Sequence, residues 1–343
     1  MRRTRSGCVS ETPEMRKIVV LGSNSFSGSD FIDLLLEDPR NQVVGISRSP
    51  EKPALFLPYK RHSSHNFTFH QLDLNKEHHR ILQLLDDFQP HYVVNFAAQS
   101  EVAPSWCYPE HWFQTNVVAL SRLTNALRER AYLKRYVHIS SPEVYGTCRT
   151  RLTESAPLNP STPYAVSKAA GDLFLFTLVK QFNFPLVMIR STNVYGPHQQ
   201  LFKLIPRTII ALKLGETIQL HGGGRAVKSY IHIRDVSRGE LLAMEKGRIG
   251  HIYHLSPPAG IAVRDVVRRL CMLLGKDFEK STVEVEERCG QDAVYQIDST
   301  RSEQELGWFP KITFSDGLQQ TIEWVEAYWP EIVRNPREYR HVA

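Results

Sequence analysis

A doubly wound α/β architecture is predicted by three features of this sequence. Apolar, β-branched runs alternate with stretches of helical spacing from Lys17 to Arg190. A turn bounded by glycines follows the first run directly. The alternation stops after Tyr195-Gly196-Pro197. Lys17–Leu21 reads as a buried parallel strand ending at Gly22, because it is apolar throughout. Phe26–Leu36 sets Phe31, Leu34 and Leu35 at helical spacing and stops near Asp38-Pro39. Strands are expected at Gln42–Ile46, more weakly at Phe67–Leu72, and at Tyr92–Phe96. A helix over His111–Arg130 leads to a strand at Arg135–Ser140, and a long helix over Tyr164–Phe182 leads to a strand at Leu186–Arg190. Such a series builds a parallel sheet whose ligands lie outside the carboxyl ends of its strands.

Beyond Pro197, Gly- and Pro-rich loops such as Gly222-Gly223-Gly224 and Ser256-Pro257-Pro258 predict a smaller, mixed α/β domain folded over those strand ends. The chain is expected to return to the first domain near Val227–Lys246. The domain reading is therefore a leader over 1–15, a dinucleotide unit over 16–196 with a return at about 227–256, and a substrate unit over 197–226 and 257–335.

Composition narrows the function classes. The net charge of +6 comes from Lys and Arg scattered along the chain without a basic run interleaved with aromatics, so a small anionic substrate is expected and nucleic acid is not. No apolar run is long enough to span a bilayer, and the first fifteen residues lack an apolar signal core, so a cytoplasmic protein is expected. The five cysteines contain no C-x-x-C pair and are odd in number, which points to a reducing compartment. Fourteen histidines include His62-Ser63-Ser64-His65 and His78-His79, yet no carboxylate completes a metal set, and no metal is expected.

The turn Gly22-Ser23-Asn24-Ser25-Phe26-Ser27-Gly28 joins the first strand to the first helix. There a Gly-rich loop lets a pyrophosphate approach helix-terminal N–H groups, as in Rossmann-type sheets. The second strand ends in Ser47-Arg48, a hydroxyl and a guanidinium in place of the acid that accepts the ribose of NAD. The reading leans to a tightly held NADP over NAD, although Arg48 can equally stack on adenine with NAD bound. Asp73-Leu74 is placed to cap the adenine. The small residues Ala97 and Ala98, with Gln99 and Ser100, let backbone approach the cofactor.

Tyr164-Ala165-Val166-Ser167-Lys168 puts a phenol and an ammonium on one helical face, one turn apart. A cation beside a phenol lowers its pKa, so Tyr164 is a candidate general base, with Lys168 as the group that tunes it. Ser141 and Glu143, after the preceding strand, add a hydroxyl and a second proton-transfer group.

Taken together, these residues resemble the extended short-chain dehydrogenase/reductases, the NAD(P)-dependent epimerase/dehydratase family that acts on nucleotide sugars. The resemblance runs from about Met15 to Tyr328. Its landmarks are Gly22–Gly28, Asn95–Ser100, Thr115-Asn116, Ser140–Gly146, Tyr164–Lys168, Arg190–Pro197, Leu204-Ile205-Pro206, Val227–Asp235, Arg288–Asp298 and Leu306-Gly307-Trp308. Within the family it is nearest to the dTDP-glucose and GDP-mannose 4,6-dehydratases. The resemblance adds Thr115 and Ser191 to the cofactor residues and Ser100, Asn193, Lys203, Lys228 and Arg288 to the substrate residues. It implies that Tyr164 takes the C4 hydroxyl proton while Ser141 polarises the C4 oxygen. Glu143 then takes the C5 proton before water leaves C6, giving a 4-keto-6-deoxy sugar. It also implies a homodimer through helices His111–Arg130 and Tyr164–Phe182, with Val117, Leu120, Leu127, Leu173 and Phe176 available for burial.

Glu143 favours elimination over inversion, since 4-epimerases usually lack an acid there. Pro142 departs from the dTDP-glucose branch, where an aspartic acid protonates the leaving hydroxyl; the GDP-mannose branch also lacks it. The nucleotide stays open at this level. So do an epimerase or reductase sharing the first step, and a non-catalytic dinucleotide sensor on the same fold.

Overall fold

A computed structural model describes residues 15–63, 65–147, 150–286 and 296–342. Its strands in chain order are β1 (Arg16–Leu21), β2 (Asn41–Ser47), β3 (Phe67–Gln71), β4 (Tyr92–Asn95), β5 (Arg135–Ile139), β6 (Leu186–Ser191), β7 (Asn193–Tyr195), β8 (Ile218–His221), β9 (Val227–Lys228), β10 (Tyr230–His232), β11 (Ile252–Leu255), β12 (Ile261–Ala262) and β13 (Thr282–Val285). The α-helices are α1 (Phe26–Leu35), α2 (His78–Phe88), α3 (Val102–Ser105), α4 (Pro109–Phe113), α5 (Leu120–Leu127), α6 (Pro163–Phe182), α7 (Leu204–Leu214), α8 (Ile233–Lys246), α9 (Val263–Leu273), α10 (Phe278–Ser281), α11 (Phe314–Ala327) and α12 (Trp329–Ile332).

Seven strands form one sheet in the order β11-β6-β5-β4-β1-β2-β3, every pair parallel. The order reverses between β1 and β4, so the ligand crevice of this fold opens above their carboxyl ends. The apolar run of β1 is explained by burial on both faces. Ile18 and Val20 pack with Phe31, Ile32 and Leu35 of α1 and with Val236 and Met244 of α8. Val19 and Leu21 pack with Leu120, Leu123 and Leu127 of α5 and with Leu175 and Leu178 of α6. Each such side chain contributes about 1.5–3 kcal/mol through burial.

The expected return segment supplies α8, which lies on α1. Ser237 Oγ donates to Asp30 Oδ2 at 2.7 Å, and the Arg234 guanidinium lies 3.2 Å from Asp30 Oδ1. Strand β11 then adds to the sheet edge beside β6. A second core gathers Ile205, Ile209 and Ile210 of α7, Val266, Val267 and Leu270 of α9, and Leu318, Ile322 and Val325 of α11. Leu55 joins this core, and its carbonyl accepts from Trp324 Nε1 at 3.2 Å.

The helix expected over His111–Arg130 is interrupted. Between α4 and α5, residues Gln114–Ala119 form a π-turn. Asn116 sits in it with its side chain turned to the end of β4, accepting from Gln99 N at 2.9 Å and donating to Gln99 O at 3.0 Å. It also donates to Ser167 Oγ of α6 at 2.9 Å. A π-turn of this kind frequently marks a functional site.

Candidate active site

The Gly22–Gly28 turn is a cradle that side chains would fill. Gly22 has φ +81°, and a Cβ there would stand 2.7 Å from Ala97 N. A Cβ on Gly28 would stand 2.5 Å from Gly22 O. Ser25, at the position where relatives carry a middle glycine, is the N-cap of α1 and accepts from Gly28 N at 3.0 Å. Phe26 is buried, Ser27 is partly exposed, and the buried Asn24 leaves its side-chain oxygen without a hydrogen bond. A close backbone approach, a helix N-terminus and an orphaned polar atom fit a dinucleotide pyrophosphate.

At the neighbouring strand end, Ser47 is already engaged: its hydroxyl accepts from Asn24 N at 2.9 Å and lies 3.3 Å from Ser23 Oγ. Arg48 is exposed and donates to the carbonyl of Val342 at 3.0 Å. Asp73 turns on its own loop, accepting from Asn75 N at 2.9 Å, and Leu74 packs against the sheet core. Asn75 in turn donates to Thr115 Oγ1 at 3.1 Å. Ala97, Ala98 and Gln99 follow β4; Ala97 N donates to Asn95 Oδ1 at 3.0 Å, and Gln99 Nε2 to Val342 O at 2.8 Å. Ser191 closes β6, half-buried, with β5 between it and β4.

Ser141 and Glu143 lie on the turn that follows β5, and Tyr164 and Lys168 on the first two turns of α6. Ser141 caps a short 3₁₀ turn over Pro142–Tyr145 and accepts from Glu143 N at 3.2 Å. Thr162 caps α6, accepting from Ala165 N at 3.1 Å, and Ser105 Oγ accepts Tyr164 N at 3.2 Å, which fixes the first turn of the helix. The Ser141 hydroxyl and the Glu143 carboxylate both lie near enough to the Tyr164 phenol to shift its pKa, Ser141 downward and Glu143 upward.

One electrostatic expectation is corrected. The Tyr164 phenol is pushed up from its ordinary value, first by burial and then by the negative charge of Glu143. The Ser141 hydroxyl pulls the other way without reversing the shift. The Lys168 ammonium is engaged at the end of β5: it donates to Ile139 O at 2.8 Å and lies 3.4 Å from His138 Nε2. Burial also brings Lys168 itself down to about 8, with Asp172 opposing and Arg190 reinforcing the shift.

Beneath these residues lies a buried polar network not anticipated from the sequence. Asp172 Oδ2 accepts from Ser140 Oγ at 2.5 Å and from Arg190 at 2.7 Å. Arg190 also donates to Tyr145, whose hydroxyl is 2.8 Å from His254 Nε2. His138 lies 3.6 Å from Asp172 Oδ1 and is held well below the usual histidine range, by burial first and then by Lys168 and Arg190. Two signals were present. Asp172 falls two turns after Tyr164 on the same helical face as Lys168, and Arg190 interrupts an apolar strand and so requires an acid.

The substrate candidates are more dispersed. Ser100 is exposed after β4. Asn193 begins β7, its N–H donating to Ser229 O at 2.9 Å. Lys228 lies on β9, paired with Ile261 of β12. Lys203 is bound to Glu101 at 2.6 Å; the charge of Glu101, a residue the sequence reading passed over, also raises the Tyr164 pKa. Arg288 lies outside the described residues. Among the described residues, no group of His, Cys, Asp and Glu is placed to hold a metal ion, and no helix is long and apolar enough to cross a membrane.

The family model described as GDP-mannose 4,6 dehydratase matches residues 19–321. The chain belongs to this family. Among curated members, it is 34% identical over 262 residues to a dTDP-glucose 4,6-dehydratase of Xanthomonas campestris pv. campestris, covering 71% of this chain and 75% of the relative. It is 30% identical over 316 residues to the dTDP-D-glucose 4,6-dehydratase of Homo sapiens, covering 90% and 89% respectively. The crystal structure of a dTDP-glucose 4,6-dehydratase from Streptomyces venezuelae, solved with NAD and TYD bound, superposes with a TM-score of 0.85. That pair is 30% identical, over 92% of this chain and 98% of the other. Fold and family thus agree with the predicted doubly wound sheet and the resemblance read from the motifs.

Proposed function

We propose that this chain is a nucleotide-sugar 4,6-dehydratase that binds a nicotinamide dinucleotide in the crevice between β1 and β4. One observation carries the reading: Glu143 stands on the short turn after β5 that Ser141 caps, near enough to Tyr164 at the start of α6 for its negative charge to raise the phenol's pKa. An inversion at C4 needs no second base, whereas an elimination across C5–C6 does. Similarity to several dTDP-glucose 4,6-dehydratases supports the same choice over epimerisation.

The Gly22–Gly28 turn and Ala97–Gln99 would receive the cofactor's pyrophosphate, and Lys168 its nicotinamide ribose. Asp73, Leu74, Ser47, Arg48, Thr115 and Ser191 would line the remainder. When bound, the nicotinamide supplies hydride acceptance from sugar C4 and hydride return to C6. Tyr164 receives the C4 hydroxyl proton once positive charge in the site offsets the effects of burial and of Glu143. Ser141 holds the C4 oxygen and polarises it. The ketone acidifies C5, and Glu143 takes that proton. Pro142 offers no acid, so Glu143 also delivers a proton to the departing C6 hydroxyl, directly or through water.

NAD is the better supported cofactor. Solved relatives are described with NAD bound, and the Arg48 guanidinium, on which the leaning to NADP rested, is held by the Val342 carbonyl. Ser100, Asn193, Lys203, Lys228 and Arg288 are proposed for the nucleotide diphosphate sugar. The division at about residue 197, with a return over 227–256, separates cofactor and substrate units. A cytoplasmic homodimer is proposed through α6 and the α4–α5 segment. Leu120 and Leu127 are buried against the sheet, whereas Leu173, Val166, Val118 and Phe182 stay exposed for a partner copy. Incubation with dTDP-, UDP- and GDP-hexoses tests the function. A product lighter by one water and carrying a 4-keto group is expected. A C4 epimer without water loss would replace dehydration by inversion.

A further inference from the structure

The segment after α12 is tied down at four places. Arg337 forks onto Glu216 beside the second core, at 2.6 and 2.9 Å. The Tyr339 ring stands edge-on to Phe202, with centroids 5.5 Å apart, next to the Lys203–Glu101 pair. His341 stacks on Tyr108 (5.2 Å), His111 (5.1 Å) and Trp112 (5.1 Å), and one of its ring nitrogens lies 2.8 Å from His111 Nδ1. The carbonyl of Val342 accepts from both Gln99 and Arg48.

The last contact decides the geometry. Gln99 follows β4 and Arg48 follows β2, while β1 runs between those strands. One carbonyl oxygen that takes both donors therefore bridges the mouth of the crevice at the point where the strand order reverses. The hydrogen bonds of Arg337–Val342 go to Arg48, Gln99, His111 and Glu216 and not to the Gly22–Gly28 turn, whose N–H groups they leave to a pyrophosphate. A segment that merely occupied the cofactor's place would take those helix-terminal N–H groups.

We infer that Arg337–Val342 is a strap that closes over the bound dinucleotide and governs its release. The inference rests on the proposal that this crevice holds a nicotinamide dinucleotide. The strap joins the small unit at Glu216 to both banks of the crevice, and its ring stack seats it on α4, just before the π-turn that carries Asn116. A dinucleotide leaving the crevice must break the Val342 bridge first. The arrangement suits a cofactor that is regenerated in every turnover and has no need to exchange.

Two variants test it: deletion of 337–343, and His341→Ala in the full chain. Each is loaded with NADH and mixed with excess NAD, and release is followed by nicotinamide fluorescence, without any sugar present. Loss of a bridging hydrogen bond and its supporting stack should speed release about tenfold or more in the deletion, and by a smaller factor in His341→Ala. Release at the wild-type rate in both variants would overturn the strap. So would tighter NADH binding in the deletion, the mark of a competing tail. If the deletion fails to hold NADH because it folds poorly, as read by its melting temperature, His341→Ala alone decides. A wild-type protein that takes up no NADH or NAD would instead refute the cofactor proposal on which the strap rests. The dehydratase assignment is tested separately by product analysis.

Discussion

Asp172 and Arg190 form an ion pair in which both side chains are about 1% exposed, at 2.7 Å. The pair ties α6, which carries Tyr164 and Lys168, to β6 at the heart of the sheet. Removing one partner leaves a buried charge uncompensated. Asp172→Asn should therefore lower stability by about 3–5 kcal/mol, measured by denaturant unfolding. A loss below about 1 kcal/mol would mean that the network is wetter than its burial indicates.

Tyr164→Phe keeps the buried ring and removes the hydroxyl that Ser141 contacts. Turnover should fall by about 10²–10⁴ while NADH uptake stays near wild type. A variant that retains more than about a tenth of the rate would exclude Tyr164 as the general base.

Glu240 of α8 is fully buried, and neither of its carboxyl oxygens has a hydrogen-bond partner. Its pKa is raised well above the usual carboxylate range, by burial first and then by Asp30, which is itself raised to about 6. For acids raised in the folded state, the stability they contribute is present below the unfolded value and is lost as pH rises through the folded one. Unfolding free energy should thus decline from pH 3.8, where the unfolded Asp30 carboxyl loses its proton, to about 6, where the folded one does, and the raised Glu240 extends the decline to higher pH. Glu240→Met removes an unsatisfied buried group, so it should stabilise the protein by about 1–3 kcal/mol at neutral pH and flatten the decline. A destabilised variant would show that Glu240 has a partner role.

The His111–His341 contact should make the strap sensitive to acid. His341 is held below 6.5 by burial, by His111 and by Arg48, and the other rings facing it are Tyr108, Trp112 and Tyr339. A histidine lowered in the closed state favours closure above its free value and loses that contribution as pH falls through 6.5. NADH release should accelerate below that pH in wild type and change less in His341→Ala. Parallel pH profiles for the two proteins would remove the histidine from the closure.

The alternation of apolar runs and helical spacing made the parallel sheet legible, though not its strand order, because a parallel strand buried on both faces leaves little choice of residue. The Tyr164–Lys168 spacing and the placement of Ser141 and Glu143 after a strand were also legible, since both depend on residues close together in sequence. What escaped depends on long-range geometry. The π-turn at Asn116 arises from Gln99 and Ser167, far away in the chain. The upward shift of Tyr164 arises first from burial and then from the charge of Glu143, which no spacing reveals. The strap was missed because its partners, Arg48, Gln99 and Glu216, lie far from the terminus in sequence.

The role of Glu143 is tested most directly by hydrogen exchange at C5. Turnover of the accepted nucleotide hexose in deuterium oxide should place deuterium at C5 of a 4-keto-6-deoxy product. Glu143→Gln should stop both water loss and C5 exchange while still permitting oxidation at C4, so that reduced cofactor accumulates. A Glu143→Gln enzyme that forms the 6-deoxy product at a near-normal rate, or a wild-type enzyme that inverts C4 without losing water, would contradict the account.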